Sequence, residues 1–323
     1  MSKHPPLIKT ESIEVTPLKL PRYTEHREAL DQGKLEKLKT HTSEQINWAG
    51  SILDIPRVWG ITKGEGVKVA VLDTGIDIDH PDLKSAIKDS VDLTGDGIED
   101  TNGHGTHCAG IIGARLNNIG FVGVAPKSEL LIAKVLNNNG QGANSWVTKG
   151  IYWAVENGAD IISMSLGGPT SDPDLYKAIQ YALYHGVFII CAAGNEGGLG
   201  QNTIGYPARY GGVITVASHD INGNPSGFSS QGGEVDVMAP GSRIWSTYIN
   251  GGYKELSGTS MATPFVAGLA ALITAKHKLT HGNKTPLQNN EDLKNHLLIM
   301  ATHPGYHDNQ SGYGPLIPFR YFY

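Results

Sequence analysis

Three short segments carry side chains suited to nucleophilic catalysis. Val71-Leu72-Asp73-Thr74-Gly75-Ile76-Asp77 presents a carboxylate beyond an apolar run. Asn102-Gly103-His104-Gly105-Thr106-His107-Cys108-Ala109-Gly110 presents a histidine behind a glycine, and Leu256-Ser257-Gly258-Thr259-Ser260-Met261-Ala262-Thr263-Pro264 presents a serine in the same way. A serine hydroxyl is a poor nucleophile at neutral pH and needs a positioned base. A neutral imidazole is such a base, and a buried carboxylate can fix its tautomer and stabilise the imidazolium. A helix starting at the serine would also aim unbonded N–H groups and a partial positive charge at a developing oxyanion. Pro264 reads as a first-turn proline, a position where no intrahelical hydrogen bond is lost.

Each segment admits other chemistry when taken alone. Asp73-Thr74-Gly75 would suit an aspartic protease, but that mechanism needs a second, facing carboxylate, and the chain has no second segment of this kind. His104 and His107 could ligate zinc, yet the pair lacks a glutamate or a third ligand. Gly258-Thr259-Ser260 loosely matches the nucleophile elbow of an α/β-hydrolase esterase, with Asp292, His296, His303 and Asp308 downstream to complete it. Against the elbow, residues 251–257 do not read as a buried strand, and the two glycine-rich Asp and His segments are left idle. A catalytically silent binding module of the same fold is a third reading.

Positioning these residues requires a scaffold, and the hydrophobic pattern describes one. Apolar runs at 67–72, 130–135, 160–165, 187–192 and 213–217 read as buried strands. Helical patterns at 104–114, 145–157 and 174–185 lie between them, with further helices at about 260–277 and 291–301. The alternation predicts an α/β fold: a mostly parallel central sheet with helices on both faces, its chemistry gathered at the carboxyl ends of the strands. Residues 1–42, rich in Lys, Glu and Pro, read as an N-terminal extension to a catalytic domain spanning 43–323.

Composition narrows the partners. Of 323 residues, 39% are hydrophobic and 18% charged, enough for a sizeable core. A formal charge of −5 gives no electrostatic reason to expect a nucleic acid or an anionic membrane. Two cysteines, Cys108 and Cys191, make no disulfide framework. The start of the chain is broken by polar residues and prolines before an apolar signal core develops, and no run is long enough to span a bilayer, so the cytoplasm is the expected compartment.

Together the three segments, in the order Asp, His, Ser, resemble the subtilisin-like serine protease family (subtilases). That order is an attribute of the family and not a consequence of the chemistry. Cys191-Ala192-Ala193-Gly194-Asn195-Glu196-Gly197 and Ser163-Met164-Ser165-Leu166-Gly167-Gly168 extend the likeness, which is narrower toward bacterial intracellular subtilisins. The resemblance implies a serine endopeptidase of broad specificity acting on proteins or peptides. Its triad would be Asp73, His104 and Ser260, with an oxyanion hole built from the Asn195 amide and the Ser260 N–H. Gly140 and Gly142 on one side, and Ser165, Leu166, Gly167 and Gly168 on the other, would be the edges between which an extended substrate pairs. Ala192, Gly194 and Gly205 would line the pocket for the residue before the cut, with Glu196 at its mouth favouring large apolar or basic side chains. Asn144 stands where relatives carry an aromatic rim, and Phe265 where many carry a polar residue. Cys108 is similar to the cysteine of the thiol-containing branch and reads as a small buried hydrophobe with no reactive role.

The likeness also implies structural Ca2+, with Asp82, the Asn117 side chain and the carbonyls of Arg115, Ile119 and Phe121 as ligands, an oxygen set suited to a hard cation. Asp96 and Asp100 match a fragment of an EF-hand loop without its closing glutamate. In the extension, Lys19-Leu20-Pro21-Arg22-Tyr23 resembles the Leu-Ile-Pro-Tyr stretch that intracellular subtilisins lay across their own active site, which implies a zymogen.

Overall fold

The architecture is taken from a computed structural model, which describes residues 18, 19, 44–198, 201–282 and 287–323. In chain order the elements are β1 (Leu18–Lys19), α1 (Trp48–Ile52), α2 (Ile55–Val58), β2 (Lys68–Asp73), β3 (Ile87–Asp92), α3 (His104–Gly113), β4 (Glu129–Lys134), β5 (Gln141–Gly142), α4 (Asn144–Glu156), β6 (Ile161–Met164) and α5 (Pro173–Tyr184). They continue with β7 (Phe188–Ala192), β8 (Ile214–His219), β9 (Val237–Pro240), β10 (Ile244–Tyr248), β11 (Gly252–Leu256), α6 (Thr259–His281), α7 (Asn290–Met300) and α8 (Phe319–Phe322).

Seven strands form one sheet in the order β3-β4-β2-β6-β7-β8-β9, and every neighbouring pair is parallel. The apolar runs split by parity, as a strand buried on both faces must. Val69 and Val71 of β2 join the core beneath α3 and α6, built from residues such as Ala109, Ile112, Phe265 and Leu269. Ala70 and Leu72 point the other way, toward Val147 and Ile151 of α4 and Leu175 and Ile179 of α5. Leu293, Leu297 and Met300 bring α7 onto the first of these cores.

Several elements differ from the sequence reading for identifiable reasons. β3 is an edge strand whose Lys88, Asp89 and Ser90 are exposed, so no apolar run marks it. β9, at the other edge, is four residues long and ends on Pro240, a residue sheets tolerate at an edge. β10 and β11 form a separate antiparallel hairpin closed on Asn250 and Gly251, whose φ of 62° and 65° suit an Asn-Gly turn. The stretch before Ser260 is therefore a strand, but a half-exposed one outside the central sheet. α6 runs to His281, one turn beyond the expected end.

The hairpin holds the helix that begins at His104. Ser246 Oγ donates to His107 O at 2.9 Å and Thr247 Oγ1 donates to Thr106 O at 2.8 Å. So close an approach needs Gly110, because a Cβ there would sit 2.0 Å from Thr247 Oγ1. Among the described residues, no helix is long and apolar enough to cross a membrane.

Candidate active site

Asp73 closes β2 and His104 opens α3, so sheet and helix deliver a carboxylate and an imidazole to one point. Asp73 Oδ1 lies 2.7 Å from His104 Nδ1, with both side chains buried. A carboxylate oxygen at that distance accepts the Nδ1 proton, so the neutral ring carries its lone pair on Nε2. Burial opposes charge on His104, yet the adjoining Asp73 carboxylate outweighs it and holds the imidazolium well above the ordinary histidine range.

A second buried carboxylate holds the start of the histidine helix. Asp100 Oδ1 accepts from Thr74 Oγ1, Asn102 N and Gly103 N at 2.9, 3.0 and 2.9 Å, and its Oδ2 accepts from Thr106 N and Oγ1 at 2.9 and 2.7 Å. It thus binds the first-turn donors of the histidine helix and ties them to the residue after Asp73. At the EF-hand-like segment the carboxylates have protein partners: five donors occupy Asp100, and Asp96 Oδ2 accepts from Asn138 N at 3.0 Å. His107 is likewise structural. Its Nε2 bonds the carbonyls of Ile244 and Lys254, both at 3.0 Å, and burial lowers its pKa to about 3.

Ser260 is the second residue of α6. Pro264 is the sixth, so it lies past the first turn, and the expectation that it costs no helical bond is corrected. Its missing N–H would have bonded Ser260 O, four residues back. That carbonyl is satisfied from outside the helix, by Ser165 Oγ at 2.9 Å and Cys108 Sγ at 3.4 Å. Cys108 Sγ also lies 3.8 Å from His104 Nδ1, so one buried thiol touches both the histidine and the serine residue. Burial raises the pKa of Cys108, and of Cys191, keeping both as thiols.

Asn195 follows β7, and its Oδ1 accepts from Thr259 N at 2.9 Å and Thr259 Oγ1 at 3.0 Å. With the oxygen so engaged, the other end of the amide, Nδ2, is a donor beside the serine helix. Gly258 leaves room for it, since a Cβ there would lie 3.1 Å from Asn195 Nδ2.

The expected groove edges bracket a peptide segment of the chain itself. Leu18 pairs antiparallel with Gly142 and Lys19 with Gln141, while Lys19 and Gly167 exchange N–H···O bonds of 3.2 Å on the opposite side. Residues 20–23 of the expected blocking stretch lie outside the described residues. Gly140 adjoins the first edge, its N–H bonded to Asn137 O at 2.8 Å. Gly168 pairs with Tyr206 (2.9 and 2.8 Å), and Gly205 N reaches Ala193 O at 3.4 Å, which draws Leu166, Ala192, Gly194 and Gly205 into adjoining segments. Glu196 is exposed and accepts from Ser230 Oγ at 2.8 Å. Asn144 is buried and bonds Asp172, so it does not stand as an open rim.

The five expected calcium ligands also share one neighbourhood. Arg115 N bonds Asp82 O at 2.9 Å, Phe121 N bonds Asp82 Oδ2 at 2.8 Å, and Ile119 N bonds Asn117 Oδ1 at 3.1 Å. The carbonyls of Arg115, Ile119 and Phe121 accept no hydrogen bond found among the described residues, as a cation's ligands should. One group is turned away: Asn117 offers Nδ2, not Oδ1, to Asp82 Oδ1 at 3.1 Å. Turning that carboxamide toward a cation would complete an oxygen set suited to a hard ion, at the cost of the bond from Ile119 N. Sequence reasoning did not find the supporting roles of Asp100 and Thr259, nor Glu44 (whose Oε1 accepts from Asn117 N at 2.7 Å) or Tyr253 (whose OH donates to Asp82 Oδ2 at 2.8 Å). Only the Asp-x-Asn-Gly spacing ahead of His104 could have hinted at one of them, as a helix-start signal.

Residues 64–314 match the model of the subtilase family. The chain is 50% identical over 230 residues to an intracellular serine protease of Paenibacillus polymyxa, covering 69% of this chain and 71% of that one. It is 49% identical over 257 residues to the major intracellular serine protease of Bacillus subtilis, covering 75% and 81%. Thermitase of Thermoactinomyces vulgaris is 43% identical over 243 residues, covering 74% and 86%.

The Asp73–His104 pair makes a direct prediction. Histidine NMR titration should place His104 above its ordinary value of 6.5 in the parent protein and at or below it in Asp73→Asn. Because folding favours the imidazolium, the pair's contribution to stability is complete below pH 6.5 and is lost as pH rises through the folded pKa. An unchanged titration in Asp73→Asn would detach the carboxylate from the histidine.

Proposed function

This chain belongs to the subtilase family, and we propose that it is a serine endopeptidase of broad specificity, working inside the cell through Asp73, His104 and Ser260. The observation that carries the reading is the buried 2.7 Å contact between Asp73 Oδ1 and His104 Nδ1. With Nδ1–H held by the carboxylate, Nε2 takes the Ser260 Oγ proton as Oγ attacks the scissile carbonyl. The oxyanion is received by the Asn195 amide and the Ser260 N–H, a first-turn donor of α6. The imidazolium, stabilised by Asp73, returns its proton to the leaving amine, and water then releases the acyl group from Ser260 by the same steps. The names of the two intracellular relatives support the compartment.

Substrates bind in this reading as an added strand between Gly140–Gly142 and Ser165–Gly168, through main-chain bonds that demand little of sequence. The seating of Leu18 and Lys19 between Gly142 and Gly167 supports it, because a peptide already pairs with both edges. Ala192, Gly194 and Gly205 form the pocket before the cut, where exposed Glu196 favours a basic residue as well as large apolar ones. The same pairing supports an inhibitory role for residues 1–42: an arm lying in the groove excludes other chains from it. Asp82, Asn117 and the carbonyls of Arg115, Ile119 and Phe121 would hold Ca2+, which would supply only structural cross-linking of the loop behind α3.

Ser260→Ala should remove all peptide hydrolysis while leaving the circular dichroism spectrum unchanged; residual cleavage by a pure, folded variant would refute the mechanism. For the metal, melting is best followed in the Ser260→Ala background, where self-digestion cannot intrude. A ligand that binds only the folded state at about 100 times its Kd adds ~2.7 kcal/mol, so chelation should lower Tm by several degrees. Asp82→Ala should abolish that difference, and coincident curves for the parent with calcium and with chelator would remove the ion from the account. For the arm, a chain shortened to begin near His41, or one carrying Pro21→Ala, should hydrolyse peptides faster from the first seconds than the intact chain, which should shorten itself after a lag. Equal initial rates from all three would reduce the arm to a tail.

A further inference from the structure

Lys134 is a wholly buried cation for which the chemistry above has no use. It is the last residue of β4, paired in register with Asp73 of β2, and none of its surface is exposed. Its Nζ lies 2.6 Å from Thr74 O, 3.1 Å from Glu99 O and 2.9 Å from Asn138 Oδ1. All three partners are oxygens that can only accept. A neutral amine has two N–H bonds, so a third such contact would set lone pair against lone pair; the group is an ammonium ion. No carboxylate oxygen among the described residues lies within 4.0 Å of it. A buried charge without a direct partner is costly to keep, and its acceptors show what keeps it.

Two of those acceptors adjoin buried carboxylates: Thr74 follows Asp73, and Glu99 precedes Asp100. Thr74 is the peptide on which the site converges. Its N–H bonds Asp73 Oδ1 at 2.8 Å, its Oγ1 donates to Asp100 Oδ1 at 2.9 Å, and it accepts from Gly105 N, in the histidine helix, at 2.9 Å. The third acceptor, Asn138, stands on the run leading to the groove edge at Gln141–Gly142. We propose that Lys134 is a positioning residue for the catalytic acid: its ammonium anchors the Thr74 carbonyl, and with it the Asp73 carboxylate, to the acid loop and the groove edge, and it balances the negative charge of Asp73 and Asp100. This rests on the proposed triad.

The titratable groups near His104 are Asp73 at the end of β2, Cys108 and His107 on its own helix, and Asp100 in the preceding loop, with Lys134 the buried cation set among the carboxylates. Removing that cation leaves the carboxylates less opposed, so the imidazolium is favoured further. Lys134→Met should raise the NMR titration midpoint of His104 by about half a unit or more, read in the Ser260→Ala background, where no activity is needed. In the Ser260-intact chain the same substitution should lower kcat about tenfold or more, change KM less, and move the acid limb of kcat/KM to higher pH. Should Lys134→Met fail to fold, Asn138→Ala, at an exposed position, removes one anchor and leaves the core whole; kcat should then fall about threefold with KM changed less. A folded Lys134→Met with an unmoved His104 midpoint, or wild-type kcat in Asn138→Ala, overturns the proposal. An inactive parent whose His104 midpoint still moves in Lys134→Met overturns the proposed function instead and leaves the positioning role standing.

Discussion

The site depends on keeping a carboxylate and an imidazole together out of water. Burying either alone would cost several kcal/mol, and in company they are stable only if every remaining lone pair and proton finds a partner. The chain answers that demand with backbone more than with side chains, although Asp73 Oδ2 has no hydrogen-bond partner among the described residues. Thr74 N bonds Asp73, and the loop from Asp100 to Thr106 turns its N–H groups onto a second carboxylate, so the histidine helix starts on a fixed footing. Asp73 sits on a central strand of a parallel sheet, where a shift of register would move every core residue of β2 at once. The rigidity of the pair is thus inherited from the core.

Two helix starts and one loop meet on this footing. α3 brings the histidine, α6 brings the serine, and the loop after β7 brings Asn195, each leaving the same end of the sheet or its cover. The contacts that join them are short and polar: Asn195 to Thr259, Ser165 to the Ser260 carbonyl, and Cys108 touching both helices. None of these linking atoms performs a step of the proposed chemistry. They set the angles at which the steps can occur, which is where small displacements are most costly.

What the sequence disclosed follows from the same physics. The residues proposed to react stand out in the sequence because that chemistry would fix their types and because close packing surrounds them with glycine. The inner strands were legible because both faces are buried, which leaves unbroken apolar runs such as Val69–Leu72. Edge strand β3 was not, since Lys88, Asp89 and Ser90 face solvent and erase the pattern. The supporting polar residues were hidden for another reason. Lys134 lies within the apolar run 130–135, and Asp100 reads as a fragment of an EF-hand loop; the partners that give each its meaning lie up to 60 residues away in the chain. Thr259 passed as a neighbour of the serine, although its two bonds to Asn195 fix the orientation of that amide. The Pro264 reading failed by half a turn, since a helix boundary drawn from sequence cannot say which carbonyl a proline will orphan.

That orphaned carbonyl has an evolutionary consequence. With proline at 264, Ser260 O needs an outside donor, and Ser165 and Cys108 provide it. With any other residue at 264, a backbone N–H would compete for the same oxygen, and the hydroxyl at 165 would lose its reason to point there. Positions 108, 165 and 264 are therefore epistatic, their effects non-additive although they are remote in sequence. A lineage that exchanged the proline first would be free to lose the serine, whereas one that lost the serine first would leave the buried Ser260 carbonyl with only the weaker Cys108 thiol as its donor. The order of substitution, and not only its endpoint, is constrained at this helix.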